Sequence, residues 1–256
     1  MIHIHKILEK LVNTQAHLLG QQLTPEFENS VEQDFLSAYR QCTQYTMTSV
    51  ERMYALYQAT EYIVRHRIPG DVVECGVWKG GSMMLVASIL RGLHDTERKL
   101  YMYDTYEGMP APTAEDRKTK QKSGPDQTVE HWRRMQKPGY NAWCHAPLDE
   151  VRNNFSSTGY PEKNLIFIKG KVEDTIPKNI PARIALLRLD TDWYESTRHE
   201  MTHLYPHLQK NAVFITDDYG AWAGAKKAID EYFSRQTTPM LLHRIDVTGR
   251  VGIKTT

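Results

Sequence analysis

Apolar residues recur at the i, i+3, i+4 spacing of a one-sided helix through residues 4–19, 27–39 and 50–64. Ile68-Pro69-Gly70 breaks that rhythm. Beyond it the pattern changes to short apolar runs separated by helical ones. DVVECG (71–76), KLYMYD (99–104), NLIFIKG (164–170), ALLRLD (185–190) and AVFITDD (212–218) read as strands. Helices are expected after Gly76 as far as Leu90, and over 147–155, 195–208 and 221–233. The tail reads as two strands around a tight Thr248-Gly249 turn. Strands alternating with helices predict an α/β fold with a largely parallel sheet, and the terminal hairpin adds an antiparallel strand at or near an edge. Ligands of such sheets bind beyond the carboxyl ends of the strands.

One stretch fits neither period. Residues 105–146 are polar and carry Pro110, Pro112, Gly124, Pro125, Pro138 and Gly139. That is too long for an ordinary connection and predicts a lid or insertion. His131, His145, Trp132 and Trp143 in it, and Trp222 outside it, are within the range of residues that touch a substrate; solvated histidines and packing tryptophans are the plainer reading. The chain therefore divides into a helical segment, 1–68, suited to capping or oligomer contacts, and a main domain, 69–256, with the lid inserted.

Composition narrows the function without naming it. The 256 residues carry a net charge of +1 and 40% hydrophobic residues. That balance gives no argument for nucleic acid or an anionic membrane as partner. No run approaches the roughly 20 apolar residues of a membrane span, and the N-terminus has no long apolar signal core. Cys42, Cys75 and Cys144 form neither a disulfide framework nor a zinc pattern. A cytoplasmic enzyme is expected. Apolar N-terminal helices would suit a homo-oligomer.

The acidic residues cluster where the strands end. The first turn reads Glu74-Cys75-Gly76-Val77-Trp78-Lys79-Gly80-Gly81-Ser82. Its GxxxGG spacing misses the GxGxxG of dinucleotide sites and suits a cofactor without a pyrophosphate, whose amino-acid part packs on the loop. Asp104, twenty-eight positions after Gly76, ends the second strand, where a carboxylate accepts both ribose hydroxyls. Together these favour S-adenosylmethionine over NAD. The cradle is expected to comprise Glu74, Cys75, Gly76, Gly80, Gly81, Ser82, Asp104 and Thr105. Glu173 or Asp174 after the third strand would accept from the adenine amino group, or else be a helix N-terminal charge pair.

Asp190, Asp192, Asp217 and Asp218 follow two later strands with no Cys or His beside them. All-oxygen ligands favour a hard cation, Mg²⁺, Mn²⁺ or Ca²⁺, over zinc. Asp190 and Asp217 are separated by one strand–helix–strand unit, which allows both to reach one ion. The competing reading is that Asp217-Asp218 turns the chain and caps the next helix. A bound cation lowers the pKa of a hydroxyl, and a neighbouring carboxylate then takes the proton. Two metal-bound oxygens would orient a vicinal diol.

VECGVWKGGS, YDTYEGMP, LLRLDTDWYEST and DDYGAWAGAKKAIDEYF resemble the macrocin-O-methyltransferase family, which acts on deoxysugars of antibiotics and related products. The resemblance runs from about Thr46 to Phe233. It implies a class I methyltransferase fold with a mixed seven-stranded sheet, a helical N-terminal part and a lid. It implies a magnesium site at Asp190, Asp217 and Asp218 and suggests Asp192 as general base. The distantly similar catechol methyltransferases place a lysine three residues after the first metal aspartate; here that residue is Trp193. The resemblance also sets Met47–Ser49 near the methionine tail of the cofactor and Glu74 at its ammonium group. From the residues alone, Thr48 or Ser49 only starts a helix. The implied acceptor is a small molecule bearing a sugar. The Asp-x-Asp of LDTD is also found in phosphatases and nucleotide-sugar glycosyltransferases, but those leave the glycine turn and Asp104 unexplained. A non-catalytic sugar-binding protein on the same scaffold is the other alternative.

Overall fold

The computed structural model describes residues 20–119, 126–238 and 240–256. The helix expected over 4–19 lies outside them. Elements are α1 (Pro25–Glu28), α2 (Gln33–Cys42), α3 (Val50–Arg65), β1 (Asp71–Cys75), α4 (Gly81–Gly92), β2 (Leu100–Asp104), α5 (Thr128–Met135), β3 (Gln136–Lys137), β4 (Tyr140–Asn141), α6 (Leu148–Phe155), β5 (Leu165–Lys169), α7 (Val172–Thr175), β6 (Ile184–Leu189), α8 (Tyr194–His203), β7 (Leu208–Thr216), α9 (Ala223–Ser234), β8 (His243–Arg244) and β9 (Arg250–Ile253).

The main sheet has seven strands in the order β5-β2-β1-β6-β7-β9-β8. The first five are parallel; β9 runs antiparallel to β7, and β8 antiparallel to β9. The tail hairpin is thus present, but its first arm shrinks to the exposed pair His243–Arg244, between Leu242 and Ile245, which pack partly buried against the core. The central strands are apolar on both faces because helices cover both: Val72, Val73, Leu100, Met102, Leu186, Leu187, Phe214 and Ile215 are all buried. Burying each such side chain contributes roughly 1.5–3 kcal/mol.

Of the helices expected within 1–68, the described α2 and α3 pack into the body of the chain. Phe35, Leu36 and Tyr39 of α2 and Met53, Leu56 and Ile63 of α3 belong to the same hydrophobic core as the strands. The apolar faces of α2 and α3 pack inside the chain. The expected helix over 27–39 is split into α1 and α2, because Asn29-Ser30 interrupts it, with the Asn29 N–H closing back on Pro25 and Phe27 carbonyls.

The described part of the stretch 105–146 is more ordered than its composition suggests. It carries α5 and a two-residue ladder, β3 with β4. Trp132 Nε1 donates to the Met109 carbonyl at 2.9 Å and Asn141 Nδ2 to the Trp132 carbonyl at 2.9 Å. Indole and amide donors tie loops whose short segments supply few backbone bonds of their own. Among the described residues no helix is long and apolar enough to cross a membrane.

Candidate active site

Register places the site. Cys75 of β1 pairs with Leu189 of β6, and Leu189 with Thr216 of β7. Each strand then continues by one residue, so Gly76, Asp190 and Asp217 form one rim on adjacent strands spaced about 4.8 Å apart. Close approach there depends on Gly76. Its φ is +85°, and a Cβ on it would lie 1.9 Å from the Asp190 carbonyl oxygen. Asp192, with φ 66°, is a non-glycine residue in the left-handed region, which aspartate tolerates better than most side chains.

A cleft of about 110 Å³, open at its mouth, lies over this rim. Of the residues expected at the site, Met47, Gly76, Asp104, Thr105, Glu173, Asp190 and Asp192 line it. So do residues that sequence reasoning passed over: Trp78, Gly108, Met109, Pro110, Cys144, Lys171, Thr191 and Ser196. Gly108–Pro110 and Cys144 come from the lid and form the wall opposite the strand ends.

The remaining cradle residues act behind the wall. Gly80 takes φ +93° and starts α4, and Gly81 lies against the Tyr45 backbone, 2.6 Å from where its Cβ would be. Ser82 turns to Met53 Sδ at 3.7 Å. Cys75 is fully buried. Ser49 caps α3, accepting from Arg52 N at 3.3 Å and donating to Asp246 Oδ2 at 2.7 Å, so its hydroxyl is committed within the protein. Asp174 is not among the residues lining the cleft, whereas its neighbour Glu173 is. Asp104 lines the cleft, yet its carboxylate also braces the glycine turn: Oδ2 accepts from Val77 N at 2.7 Å and Trp78 N at 3.0 Å, and Oδ1 from Tyr106 N at 2.7 Å. Burial raises its pKa despite these bonds.

Glu74 sits in the middle of the sheet with no exposure. Oε1 is held by Arg188 Nη1 at 2.6 Å, while Oε2 is buried with no partner. Burial pushes its pKa up to about 7, with Arg188 opposing. An orphaned carboxylate oxygen beside a glycine turn fits the ammonium group of an amino-acid cofactor. The residues present thus fit S-adenosylmethionine.

Arg188 is the hub of the acidic rim. It is buried and pairs with Glu74, with Asp190 Oδ2 at 2.8 Å and with Asp217 Oδ1 at 2.7 Å, and its Nη2 donates to Thr48 Oγ1 at 3.0 Å. Arg52 holds Asp217 through Nη1 and Asp246 Oδ2 through Nε at 3.0 Å. Neither arginine was singled out from the sequence. The available signal was Arg188 itself, a charge inside the apolar strand ALLRLD, which has to find carboxylates if it is buried.

Asp218 Oδ2 accepts from Asp192 N at 3.1 Å. Burial, with mutual repulsion from Asp217 and Asp218, raises Asp190 well above the carboxylate range. Burial, with Asp192 and Asp217 adding, raises Asp218 likewise, and Asp192 is pushed up to about 7 by burial with Asp190 adding. Acid outweighs base at this rim: among the described residues Arg188 pairs with Glu74, Asp190 and Asp217, and Arg52 with Asp217 and Asp246, while Asp192 and Asp218 make no ion pair with either. In charge and all-oxygen donors the rim fits a hard cation. In placement it does so unequally. Both Asp217 oxygens already contact arginines, and among the described residues no three His, Cys, Asp or Glu groups are gathered to hold a metal ion. Asp190 keeps 26% of its side chain exposed to the cleft.

A doubly covered, mostly parallel seven-stranded sheet with a cofactor cleft over the ends of β1 and β2 defines a class I S-adenosylmethionine-dependent methyltransferase. The chain belongs to the macrocin-O-methyltransferase (TylF) family, whose model matches residues 3–251. Over 205 residues it is 33% identical to the 8-demethyl-8-(2,3-dimethoxy-alpha-L-rhamnosyl)-tetracenomycin-C 4'-O-methyltransferase of Streptomyces olivaceus, covering 80% of this chain and 74% of that protein. It is 31% identical to the mycinamicin III 3''-O-methyltransferase of Micromonospora griseorubida, covering 80% and 76%. Among solved structures, the O-methyltransferase NovP superposes with a TM-score of 0.71 at 31% identity, covering 83% of each chain. The chain is therefore an O-methyltransferase that uses S-adenosylmethionine.

Proposed function

We propose that this enzyme methylates a hydroxyl of a sugar carried on a natural product, with a divalent cation at the acidic rim. The observation that carries the reading is that Asp190 and Asp192 line the same cleft as Gly76 and Asp104, so acidic and cofactor residues face one space. The named relatives act on sugar-bearing products, which supports the acceptor class.

Glu74 Oε2 would accept from the cofactor's ammonium group, and Glu173 from its adenine end. Asp104, from the end of β2, would accept from the ribose. Asp190, Asp217 and Asp218 would hold the cation, Asp217 exchanging an arginine contact to do so. When bound, the cofactor supplies an electrophilic methyl group and the cation lowers the pKa of a hydroxyl it touches. Asp192, which lines the cleft and whose pKa burial pushes up to about 7, would take the proton of the acceptor hydroxyl. The lid wall at Gly108–Pro110 and Cys144 excludes water and leaves room for the acceptor. Three free cysteines, Cys42, Cys75 and Cys144, suit a reducing cytoplasm. Self-association belongs to the same reading and is read by light scattering.

The test is methyl transfer from labelled S-adenosylmethionine to a panel of rhamnosides with free vicinal hydroxyls, with Mg²⁺ and with EDTA. Label in the sugar that disappears with EDTA and returns with Mg²⁺ supports both parts. Turnover indifferent to EDTA removes the cation, and transfer only to non-sugar hydroxyls removes the acceptor class.

A further inference from the structure

The two helices that follow the acidic loops begin without caps of their own. Neither Trp193 before α8 nor Trp222 before α9 makes a side-chain cap bond. The lid supplies both. Tyr194 N, the first amide of α8, donates to Asp116 Oδ1 at 2.7 Å. Ala223 N, the first of α9, donates to the Arg117 carbonyl at 2.7 Å. A carboxylate at a helix start satisfies an orphan amide and meets the positive end of the helix dipole.

Asp116 is built into this junction. It is 1% exposed. Its second oxygen accepts from Thr113 N at 2.7 Å and Thr113 Oγ1 at 2.9 Å, which turns the lid inward. Gly224, in the first turn of α9, makes the room: a Cβ there would lie 2.2 Å from Asp116 Oδ1 and 2.9 Å from Tyr194 N. The chain then continues against the same loop. Lys118 forms an antiparallel bridge with Trp222, and Thr119 N donates to the Ala221 carbonyl at 2.8 Å. Behind the clip, Trp193 and Trp222 meet edge to face at 4.9 Å, with Trp143 against both. This aromatic cluster is distinct from the main core.

We propose that Asp116 is a positioning residue. It clips the lid to the starts of α8 and α9 and so fixes the Asp190–Asp192 and Asp217–Asp218 loops relative to each other. Tyr194 is two residues from Asp192, and the Asp218 carbonyl accepts from Trp222 N at 3.0 Å, so a lid that lets go at Asp116 loosens both walls of the cleft. The proposal stands independently of the cation and of the acceptor.

The test compares Asp116→Ala, Asp116→Asn and Gly224→Ala by S-adenosylhomocysteine affinity, near-ultraviolet circular dichroism of the tryptophans, and trypsin cleavage at Arg117–Lys118. Asp116→Ala should retain the far-ultraviolet spectrum, weaken the tryptophan signal and speed that cleavage about fivefold, as expected for a lost helix cap. It should also weaken S-adenosylhomocysteine binding by about two- to fivefold, because the ligand must restore the docked loop. Asp116→Asn, which keeps an acceptor for Tyr194, should fall between. Gly224→Ala should mimic Asp116→Ala, and in the double variant its effect should be smaller than alone, because the clash with the carboxylate is gone and only the closer approach to Tyr194 N remains. Faster cleavage with unchanged ligand affinity would reduce Asp116 to a lid fastening and overturn the positioning role. Additive effects of the two substitutions would overturn it as well. If Gly224→Ala does not fold, the ranking of Asn against Ala at 116 decides.

Discussion

Glu74 and Arg188 are direct cross-strand partners on β1 and β6, joined by a 2.6 Å hydrogen bond from Nη1 to Oε1 with both side chains almost wholly buried. A full ion pair inside a parallel sheet is costly to desolvate, and that cost is offset only because Arg188 also reaches Asp190 and Asp217. Position 188 is thus where the stability of the sheet and the charge of the site meet.

Arg188→Met should leave Glu74 and Asp217 buried with too little compensation. The expected cost is about 3–5 kcal/mol, the range for breaking a buried pair from one side. Urea unfolding at neutral pH measures it, and a loss below about 1 kcal/mol would mean that the carboxyls simply take up protons at little expense.

Asp192→Asn keeps the shape of the left-handed turn and the backbone bond to Asp218 but removes the proton acceptor. Turnover on an accepted glycoside should fall by about 10²–10⁴, the usual worth of a general base, while S-adenosylhomocysteine affinity stays within about twofold of wild type. A parallel loss of cofactor affinity would show that Asp192 shapes the cleft instead.

Gly76→Ala should be worse than a routine loop change. The new methyl meets the Asp190 carbonyl at 1.9 Å in a backbone with φ +85°, so β1 and β6 must part at the rim. A stability loss of about 2 kcal/mol or more should accompany loss of S-adenosylhomocysteine binding, read by thermal melts and calorimetry. A variant that melts and binds like wild type would mean the rim is not closed here.

Glu200 carries a pH signature. It is fully buried on α8, its carboxyl accepts from Thr191 Oγ1 at 3.0 Å, and burial raises its pKa to about 8. The folded state therefore holds a proton that the unfolded chain gives up near pH 4.5. Between those two values the native state binds more protons, so this group's contribution to stability is present at the acid end and is lost as pH rises through about 8. Glu200→Gln should flatten that part of the profile: the variant should lose less stability than wild type between pH 5.5 and 8.5 in parallel urea titrations. Equal slopes would show that Glu200 is already ionised.

The βα alternation and the acidic strand ends were legible because each rests on local chemistry. Continuous apolar runs such as 212–215 can only be buried strands or helices, and glycine at 76 marks a sharp turn. Asp192 was legible from the Asp-x-Asp spacing, and its place in the cleft follows from the turn that ends β6. The helices over 25–65 were legible as helices but not as core, since an amphipathic face does not say what covers it. Ser49 shows the converse. Its cap role was visible in the sequence, and its hydroxyl is spent on Asp246, a residue 197 positions away.

The sequence by itself determined the fold class, the side of the sheet on which ligands bind and the family, because periodicity, turn residues and contiguous motifs are short-range properties. Tertiary structure alone decided how the charges are shared: that two arginines from distant elements, Arg52 and Arg188, hold Asp217, and that Asp116 in the lid caps a helix 78 residues further on. Electrostatic balance in a buried site depends on distances of a few ångströms between groups remote in the chain, and no local pattern encodes those distances.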